Sequence, residues 1–402
     1  MKIIYLSHRI PFPADKGEKI RTFHQLKYLL AQGFDITVFS PVNDDNEALF
    51  AEQLEQALPL RVVTAKLGPA WLRKVKGLVS QQALSVSHFY AATLAQQLKA
   101  AIQDSKPDAI VCTSSAMACY VEPLLQQKII PASCRLLMDF MDLDSDKWQQ
   151  YAEKASGIWR WIYQREARLI GEAELSAHAV FDHCFFISEN ETSLFCARGA
   201  TKAKVSVLAN GIDTGEFYPS PKPLQQQAPV FLFTGVMDYL PNEDAVLWFV
   251  KSCWEPILQR WPQAQFIIAG MQPSQKIQQL ARLKGITVTG YVNDILPYYH
   301  QADVFVAPFR LARGVQNKIL QAMACGLPVV TTTLGAEGIA CEQGEHILLA
   351  DNEQDIIAQV SALLTDPALY TKLQQNGPAL IQQKYSWEGV LQALPKLLAG
   401  TA

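Results

Sequence analysis

Several features are scarce or absent in this chain of 402 residues, and each absence argues against a class of protein. No run of eighteen apolar residues occurs, so the sequence predicts no membrane-spanning helix. Eight cysteines are present but none form a C-x-x-C pair, which argues against a disulfide framework and a zinc site. The formal net charge is −3, so the chain lacks the basic excess that nucleic-acid binding requires.

The residues that are present make an ordinary globular composition, with 49% hydrophobic and 18% charged residues. Because a single core stops growing beyond roughly 250–300 residues, the length predicts two domains. The opening residues, MKIIYLSHRIPFPAD, predict a buried first strand and not a secretory signal. With cysteines that show no pairing pattern, this predicts a cytoplasmic protein with reduced thiols.

Strand-like and helix-like hydrophobic patterns alternate along the chain, which predicts parallel sheets built from βαβ units. The predicted strands are 2–7, 35–39, 60–64, 108–113, 134–139 and 181–187, then 230–235, 265–270, 286–292, 303–308 and 327–332. The predicted helices include 18–32, 242–260, 315–325 and 385–398. Two doubly wound α/β domains facing a cleft are therefore expected. Their predicted bounds are 1–217, a Pro- and Gln-rich linker at 218–229, 230–384, and a C-terminal helix at 385–402 that can pack back on the first domain.

The loop after the first predicted strand is the first candidate site. It runs from His8 and Arg9 to Lys16 and Gly17, and a helix follows. Glycine allows the backbone to approach a ligand closely, and amides at a helix start attract anions. The loop is not G-x-G-x-x-G, so no dinucleotide fingerprint is present. The alternative is a plain connection between a strand and a helix.

A second candidate site follows the strand predicted to end at Pro308, where a loop with two arginines leads into a helix. Unbonded amides at the helix start, together with arginine and lysine side chains, favour a phosphate-binding pocket. The alternative is a solvated basic loop. The residues predicted to bind an anion here are Arg310, Arg313, Gly314, Val315, Gln316, Asn317 and Lys318.

Acidic residues concentrate after the strand predicted at 134–139. Asp142, Asp144, Asp146 and Glu153 stand at positions 1, 3, 5 and 12 of a calcium loop, but Lys147 occupies the position where the tight turn needs glycine. No metal site is predicted. The D-x-D pair is shared with metal-dependent sugar transferases, and the alternative is capping of a helix that begins near Lys147.

Two stretches combine tryptophan with basic residues. They are Trp71–Lys76 and Trp159–Arg165. Both can lie on an anionic membrane surface, and solvated or interface helices have the same composition.

Several motifs together resemble those of family 4 glycosyltransferases, and the resemblance covers nearly the whole chain. The motifs are N-G-I-D at 210–213 with Phe217 and Pro219, F-T-G-V-M-D-Y-L-P-N at 233–242, and NKILQAMACGLPVVTT at 317–332. More narrowly, R-x-P-x-P-x-D-K-G-x-K-x-R at 9–21 and D-x-D-S-x-K-W at 142–148 resemble the sugar transferases of bacterial exosortase (PEP-CTERM) and exopolysaccharide loci.

The resemblance implies a GT-B fold, with the nucleotide-sugar donor on the second domain, the acceptor on the first, retention of anomeric configuration and no metal. Gly17 and Gly235 match the family's glycine loops, and Lys318 matches a basic position near the diphosphate. Gln321 stands where the family usually has a glutamate that contacts the ribose. Arg313 stands eight residues earlier, where many members have another glutamate that touches the donor sugar.

The expected function is therefore a retaining glycosyltransferase that moves a sugar from a nucleotide-sugar donor to a glycan or lipid-linked glycan in exopolysaccharide or cell-surface polysaccharide biosynthesis. Lys318 and Arg313 are expected to stabilise the departing diphosphate, with Asp142 and His8 on the acceptor side. Two alternatives stay open: a GT-B sugar-nucleotide epimerase, and an inactive sugar-nucleotide-binding protein. The expected location is the cytoplasm, with peripheral contact at the inner face of the membrane.

Overall fold

The computed structural model describes residues 1–79, 82–311 and 314–401, and these form two compact units. The first unit comprises Met1–Asn210 together with the residues from Val390 onward, and the second comprises Gly211–Gly389.

The described residues of the first unit form a parallel sheet of seven strands in the order β3-β2-β1-β4-β5-β6-β7. Its central strands are almost completely buried on both faces, as expected for a parallel sheet covered by helices. The strands are β1 (Lys2–Ser7), β2 (Asp35–Val42), β3 (Arg61–Lys66), β4 (Ala109–Thr113), β5 (Arg135–Met141), β6 (His183–Phe186) and β7 (Val205–Val207).

The helices of the first unit connect these strands. They are α1 (Gly17–Ala31), α2 (Asp45–Ala57), α3 (Ala70–Val79), α4 (Leu84–His88), α5 (Ala92–Ser105), α6 (Ala118–Gln126), α7 (Asp144–Lys154), α8 (Gly157–Val180) and α9 (Glu189–Ala197). Short 3₁₀ turns lie at Ser115–Met117 and Lys202–Lys204. Helix α7 begins at Asp144, three residues before the helix start expected near Lys147, so Asp144 and Asp146 lie in its first turn, where the helix dipole favours them.

A buried ion pair joins α1 to β5 in the core of the first unit. Arg21 Nε donates to Asp139 Oδ2 at 2.7 Å, and both side chains are 1% exposed. Arg21 also donates to the Ala209 carbonyl and to Asn210 Oδ1, and Gln25 donates to the same carboxylate. The 9–21 and 210–213 motifs of the sequence therefore meet here in a structural network.

The described residues of the second unit form a parallel sheet of six strands in the order β10-β9-β8-β11-β12-β13. Its strands are β8 (Val230–Thr234), β9 (Gln265–Ala269), β10 (Ile286–Gly290), β11 (Val304–Ala307), β12 (Val329–Thr331) and β13 (Leu348–Leu349). Its helices are α10 (Leu240–Phe249), α11 (Glu255–Arg260), α12 (Gln275–Leu280), α13 (Leu296–Gln301), α14 (Asn317–Ala324), α15 (Glu353–Thr365) and α16 (Pro367–Leu380).

Several helices differ from the sequence prediction. A π-helical turn at Val250–Trp254 separates α10 from α11, where one continuous helix was predicted. At the C-terminus, a π turn at Ile381–Tyr385 leads to α17 (Trp387–Leu391) and α18 (Leu394–Ala399). Pro395 stands in the first turn of α18, where its missing N–H is tolerated, so the predicted single helix is divided. Helix α18 packs against β5 of the first unit.

The division between the units falls at Asn210/Gly211, whereas the sequence prediction placed it after residue 217. Ile212 forms an isolated β-bridge with Ser386 of the second unit, and Phe217 is buried in the hydrophobic core of that unit. The segment predicted as a linker also contacts the second unit, because Lys222 Nζ lies 2.9 Å from Asp303 Oδ1. None of the helices in the described ranges is both long and apolar enough to cross a bilayer.

Candidate functional site

The second unit contains a cavity of about 800 Å³ beyond the carboxyl ends of its strands. Residues after β8, β9 and β10 line it, together with the start of α14, which follows β11. The strand order reverses between β8 and β11, and ligands of doubly wound sheets bind at such a switch point. Its lining residues are Thr234, Gly235, Val236, Asp238, Tyr239, Asn242, Ala269, Gly270, Met271, Tyr291, Val292, Ile295, Tyr299, Gln316, Asn317, Lys318 and Gln321.

Two glycines bring the β8 and β9 loops together at the floor of the cavity. Gly235 has a φ of 152° and Gly270 a φ of 147°, conformations that other residues rarely adopt. A Cβ on Gly270 would lie 1.8 Å from the Gly235 carbonyl oxygen, so this approach requires glycine. A Cβ on Gly235 would lie 2.6 Å from Lys318 Nζ. The glycine loop therefore makes room for the lysine.

Lys318 is a partly buried lysine that lines this cavity. Its ammonium donates to Asn242 Oδ1 at 2.5 Å and lies 4.8 Å from the ring centroid of Phe233 and 5.3 Å from that of Phe309. No carboxylate of the described ranges forms a salt bridge with it. Burial lowers the pKa of Lys318 from 10.5 to about 7. An anion entering the cavity would supply the missing countercharge.

The start of α14 adds further groups for an anion. Gln316 precedes the helix, and the first intrahelical bonds run from the amides of Ile319 and Leu320 to the Gln316 carbonyl. The amides of Asn317 and Lys318 therefore precede the hydrogen-bonded ladder, where the helix dipole also favours negative charge. The amine of Lys318 and the start of the helix together form a site suited to phosphate.

A chain of neutral polar groups orients Gln321. Tyr299 Oη lies 2.8 Å from Thr234 Oγ1 and donates to Gln321 Oε1 at 3.2 Å. Burial raises the pKa of Tyr299, so its hydroxyl stays protonated. The carboxamide of Gln321 thus lines the cavity as a fixed group that can hydrogen-bond a sugar hydroxyl.

Exposed aromatic side chains line another part of the cavity. Tyr239 is 61% and Tyr291 68% exposed, and Met271 lies with them. Planar rings offer a stacking surface for a flat heterocycle. A cavity with an anion site and aromatic walls has the chemistry to hold a nucleotide.

The structure brings five of the sequence-predicted residues together at the cavity, namely Gly235, Gln316, Asn317, Lys318 and Gln321. Gly314 and Val315 are not among the lining residues. Arg310 does not line the cavity either, because its guanidinium pairs with Asp244 at 2.5 Å and lies over the Trp248 ring. Arg313 lies outside the described residues.

The remaining predicted residues belong to the first unit. Lys16 and Gly17 are exposed at the start of α1, and a Cβ on Gly17 would meet no described atom within 4 Å. His8 follows β1, and burial together with the Arg9 charge lowers its pKa to about 4, so its ring is neutral at pH 7. Asp142 follows β5 and is exposed. Roles for these residues stay predictions.

The acidic segment around α7 does not form a metal cage in the described residues. Asp146 pairs with Arg198 at 2.9 Å, and Asp144 accepts from Ser115. Within the described ranges, no three His, Cys, Asp or Glu side chains converge in a way that can hold a metal ion.

Sequence reasoning did not single out Gly270, Asn242, Tyr299 or Tyr291 as site residues. Asn242 stood inside the quoted 233–242 motif, but its contact with Lys318 depends on how α10 and α14 pack. Gly270 could have been found, since a glycine at the end of each of two adjacent predicted strands indicates a close approach of their loops.

Part of the second unit is similar in sequence to a known protein family. Residues 228–366 match the sequence model of the family described as Glycosyl transferases group 1. Over the full length, the chain is similar to Anabaena Alr3699/HepE in complex with UDP, with a TM-score of 0.63, 16% identity and 100% of both chains covered. The chain has a GT-B fold. The predicted fold class, two Rossmann-like units of the GT-B type, is confirmed.

Two curated proteins and a second complex of Alr3699/HepE are also similar to the chain. It is 21% identical to an uncharacterized 44.6 kDa protein in the cps region of Klebsiella pneumoniae, over 98% of this chain and 99% of that one. It is 26% identical to a D-inositol 3-phosphate glycosyltransferase of Corynebacterium jeikeium (strain K411), over 49% of this chain and 52% of that one. A structure of Alr3699/HepE with UDP-glucose has a TM-score of 0.59 and 16% identity, and covers 100% of both chains.

Proposed function

We propose that this protein of GT-B fold is a retaining glycosyltransferase that transfers a sugar from a nucleotide-sugar donor to a glycan or lipid-linked glycan in exopolysaccharide or cell-surface polysaccharide biosynthesis. The observation that carries the proposal is Lys318, a partly buried lysine at a helix start in the cavity, for which the described residues supply no carboxylate partner. Burying such a cation costs free energy, and an anionic ligand that binds there offsets this cost.

The donor would occupy the cavity of the second unit. Its diphosphate would be held by Lys318 and the amides at the start of α14, and its ribose by Gln321. Tyr239 and Tyr291 offer stacking surfaces for its base. The complexes of Alr3699/HepE with UDP and with UDP-glucose support a donor of this class on this fold.

In the proposed reaction, the bond between the anomeric carbon and the diphosphate oxygen breaks, and both electrons leave with the diphosphate. The acceptor oxygen then forms a bond to the same face of the anomeric carbon and loses its proton to the leaving phosphate. Negative charge grows on the departing oxygens, so the charged form of Lys318 stabilises this transition state more than the bound donor. No metal is required in this scheme.

The biological setting is part of the proposal. The full-length relative from Klebsiella pneumoniae lies in a cps region, which supports a role in surface polysaccharide assembly. We place the enzyme in the cytoplasm, and we keep membership of the exosortase-associated subgroup as a prediction. His8 and Asp142 remain proposed acceptor-side residues of the first unit.

The test is a turnover assay with the full-length protein and labelled nucleotide sugars, with and without oligosaccharide or polyprenyl-linked acceptors. Nucleotide release that depends on acceptor, with a product of unchanged anomeric configuration, is the expected result. Nucleotide-sugar conversion without any acceptor would instead identify an epimerase. Saturable donor binding without turnover under every condition would identify a binding protein, the alternative favoured by Gln321 and Arg313 in place of the family's glutamates.

A further inference from the structure

The start of helix α8 carries large apolar side chains that the first unit does not cover. Ile158 is 64%, Trp159 59% and Trp161 56% exposed. All eight tryptophans lie in the described residues, and the three that are more than half exposed, these two and Trp71, belong to the first unit. Tryptophan is otherwise a mostly buried residue in globular proteins, so these exposed tryptophans indicate a surface that another molecule covers.

The packing of α8 on α7 does not account for these side chains. Tyr163 lies 5.5 Å from Trp148 and 6.1 Å from Tyr151, measured between ring centroids, and it forms the aromatic contact with α7. At 100° per residue, the apolar residues from Ile158 to Tyr163 span an arc of about 200°. A helix that packs on one neighbour needs an apolar stripe of only about 100°. The side of α8 that bears Ile158 and Trp161 is therefore left to solvent.

The positive charge at the start of α8 favours an anionic partner. Arg160 is the one charged residue of the sequence 157–162, and the stretch from Lys154 to Arg165 is flanked by Glu153 and Glu166. Arg160 is exposed between the two tryptophans, while Arg165 is tied to Glu166 at 2.9 Å. A basic residue between aromatic rings is the composition of a segment that lies at the boundary between lipid headgroups and acyl chains.

We propose that the start of α8, residues 157–162, inserts into the interfacial region of a membrane that contains anionic lipid and holds the first unit there. The apolar arc is too wide for one flat protein surface, whereas a lipid interface can surround it on several sides. Trp159 and Trp161 supply amphipathic rings, and Arg160 meets the phosphate headgroups. The contact is peripheral, since no described helix is suited to crossing the bilayer.

This inference does not rest on the proposed reaction. A membrane contact would bring a lipid-linked acceptor close, yet the surface is defined by its own side chains, and vesicle binding needs neither donor nor turnover. Failure of the lipid contact and failure of glycosyl transfer can therefore be observed separately.

The experiment is flotation of the full-length protein with vesicles of phosphatidylcholine, alone or mixed with phosphatidylglycerol at about 7:3. The variants are Trp159→Ser/Trp161→Ser and Arg160→Gln. Tyr218→Ser, which replaces a 47% exposed aromatic of the second unit, is the matched control. Circular dichroism and the melting temperature show whether each variant folds, and sedimentation velocity reports self-association.

Binding to the anionic vesicles at low salt is expected to fall at least about tenfold in the double variant and less in Arg160→Gln. The control should bind like the wild type, and about 0.5 M salt should weaken the wild type strongly. The proposal is overturned if the folded wild type does not float with anionic vesicles, or if the double variant floats equally well. It is also overturned if the wild type dimerises through these tryptophans and shows no lipid binding.

Discussion

The pKa of Lys318 leads to a quantitative prediction about nucleotide binding. Burial lowers this pKa from 10.5 to about 7, which corresponds to a cost of about 5 kcal/mol for charging the amine in the empty cavity. The Asn242 oxygen and the two phenylalanine rings recover only part of the lost hydration. A bound diphosphate would favour the charged form and raise the pKa again.

The sign of the pH dependence follows from these two states. Above pH 7 the amine of the empty site is mostly neutral, so binding a diphosphate there must take up one proton. Affinity should therefore fall as pH rises above 7, by up to about tenfold per pH unit, until the pKa of the bound state is reached. Below pH 6 the amine is already charged, and affinity should no longer depend on it.

Calorimetric titration with UDP at pH 6 and pH 8.5, in buffers of different ionisation enthalpy, counts the protons taken up. We expect nearly one proton at pH 8.5 and nearly none at pH 6. Lys318→Met should remove the uptake and weaken binding at pH 6 by at least about tenfold, while Lys284→Met, at an exposed lysine of the same unit, should do neither. Equal proton uptake by wild type and Lys318→Met at pH 8.5 would refute the reasoning.

Three further predictions concern glycine, amide and ion-pair residues. Gly270→Ala drives a Cβ into a backbone oxygen at 1.8 Å and should destabilise the protein by at least about 2 kcal/mol in thermal or urea unfolding. Gln321→Ala should weaken UDP binding by about tenfold through loss of a hydrogen-bonding group, while Gln321→Glu should stay within about threefold in the same titration. Arg21→Met leaves the buried carboxylate of Asp139 uncompensated and should cost about 3–5 kcal/mol in urea unfolding.

Each of these predictions has a control variant and a result that would contradict it. The control for Gly270→Ala is Gly290→Ala, because a Cβ at Gly290 would lie near no described atom within 4 Å, although the backbone φ of 69° is unfavourable for alanine. Gly290→Ala should therefore lower the free energy of unfolding by only about 1–2 kcal/mol, and an equal loss in both variants would contradict the steric argument. Unchanged UDP affinity in Gln321→Ala would remove that side chain from the site. Adding Asp139→Leu to Arg21→Met should recover part of the stability, and no recovery would show that the pair is not the cause.

The positions of the strands were the most predictable part of this fold. Continuous apolar runs such as Ile3–Leu6 and Phe231–Phe233 are typical of strands in a parallel sheet covered on both faces, and the structure places them there. Short edge strands β7 and β13 were missed because two or three residues carry no detectable period. The interruption of α10–α11 was missed because a π turn leaves the apolar content of the helix unchanged.

The grouping of the candidate site residues could be predicted where they belong to one local motif. Gln316, Asn317 and Lys318 follow a strand and lead into a helix, and the structure places all three at the cavity, where their role in binding an anion stays a prediction. The contact of Lys318 with Asn242 joins residues 76 positions apart and depends on the packing of two helices. Arg310 carried the right charge, but its pairing with Asp244 could not be read from the loop sequence.

The central claim is that the cavity of the second unit binds a nucleotide without metal. The most direct measurement is calorimetric titration of the folded full-length protein with UDP, GDP, ADP and CMP, each in the presence of EDTA. We expect saturable binding of one of the four to a single site, lost or strongly weakened in Lys318→Met. Absence of binding by all four nucleotides, in a protein shown to be folded, would contradict the claim.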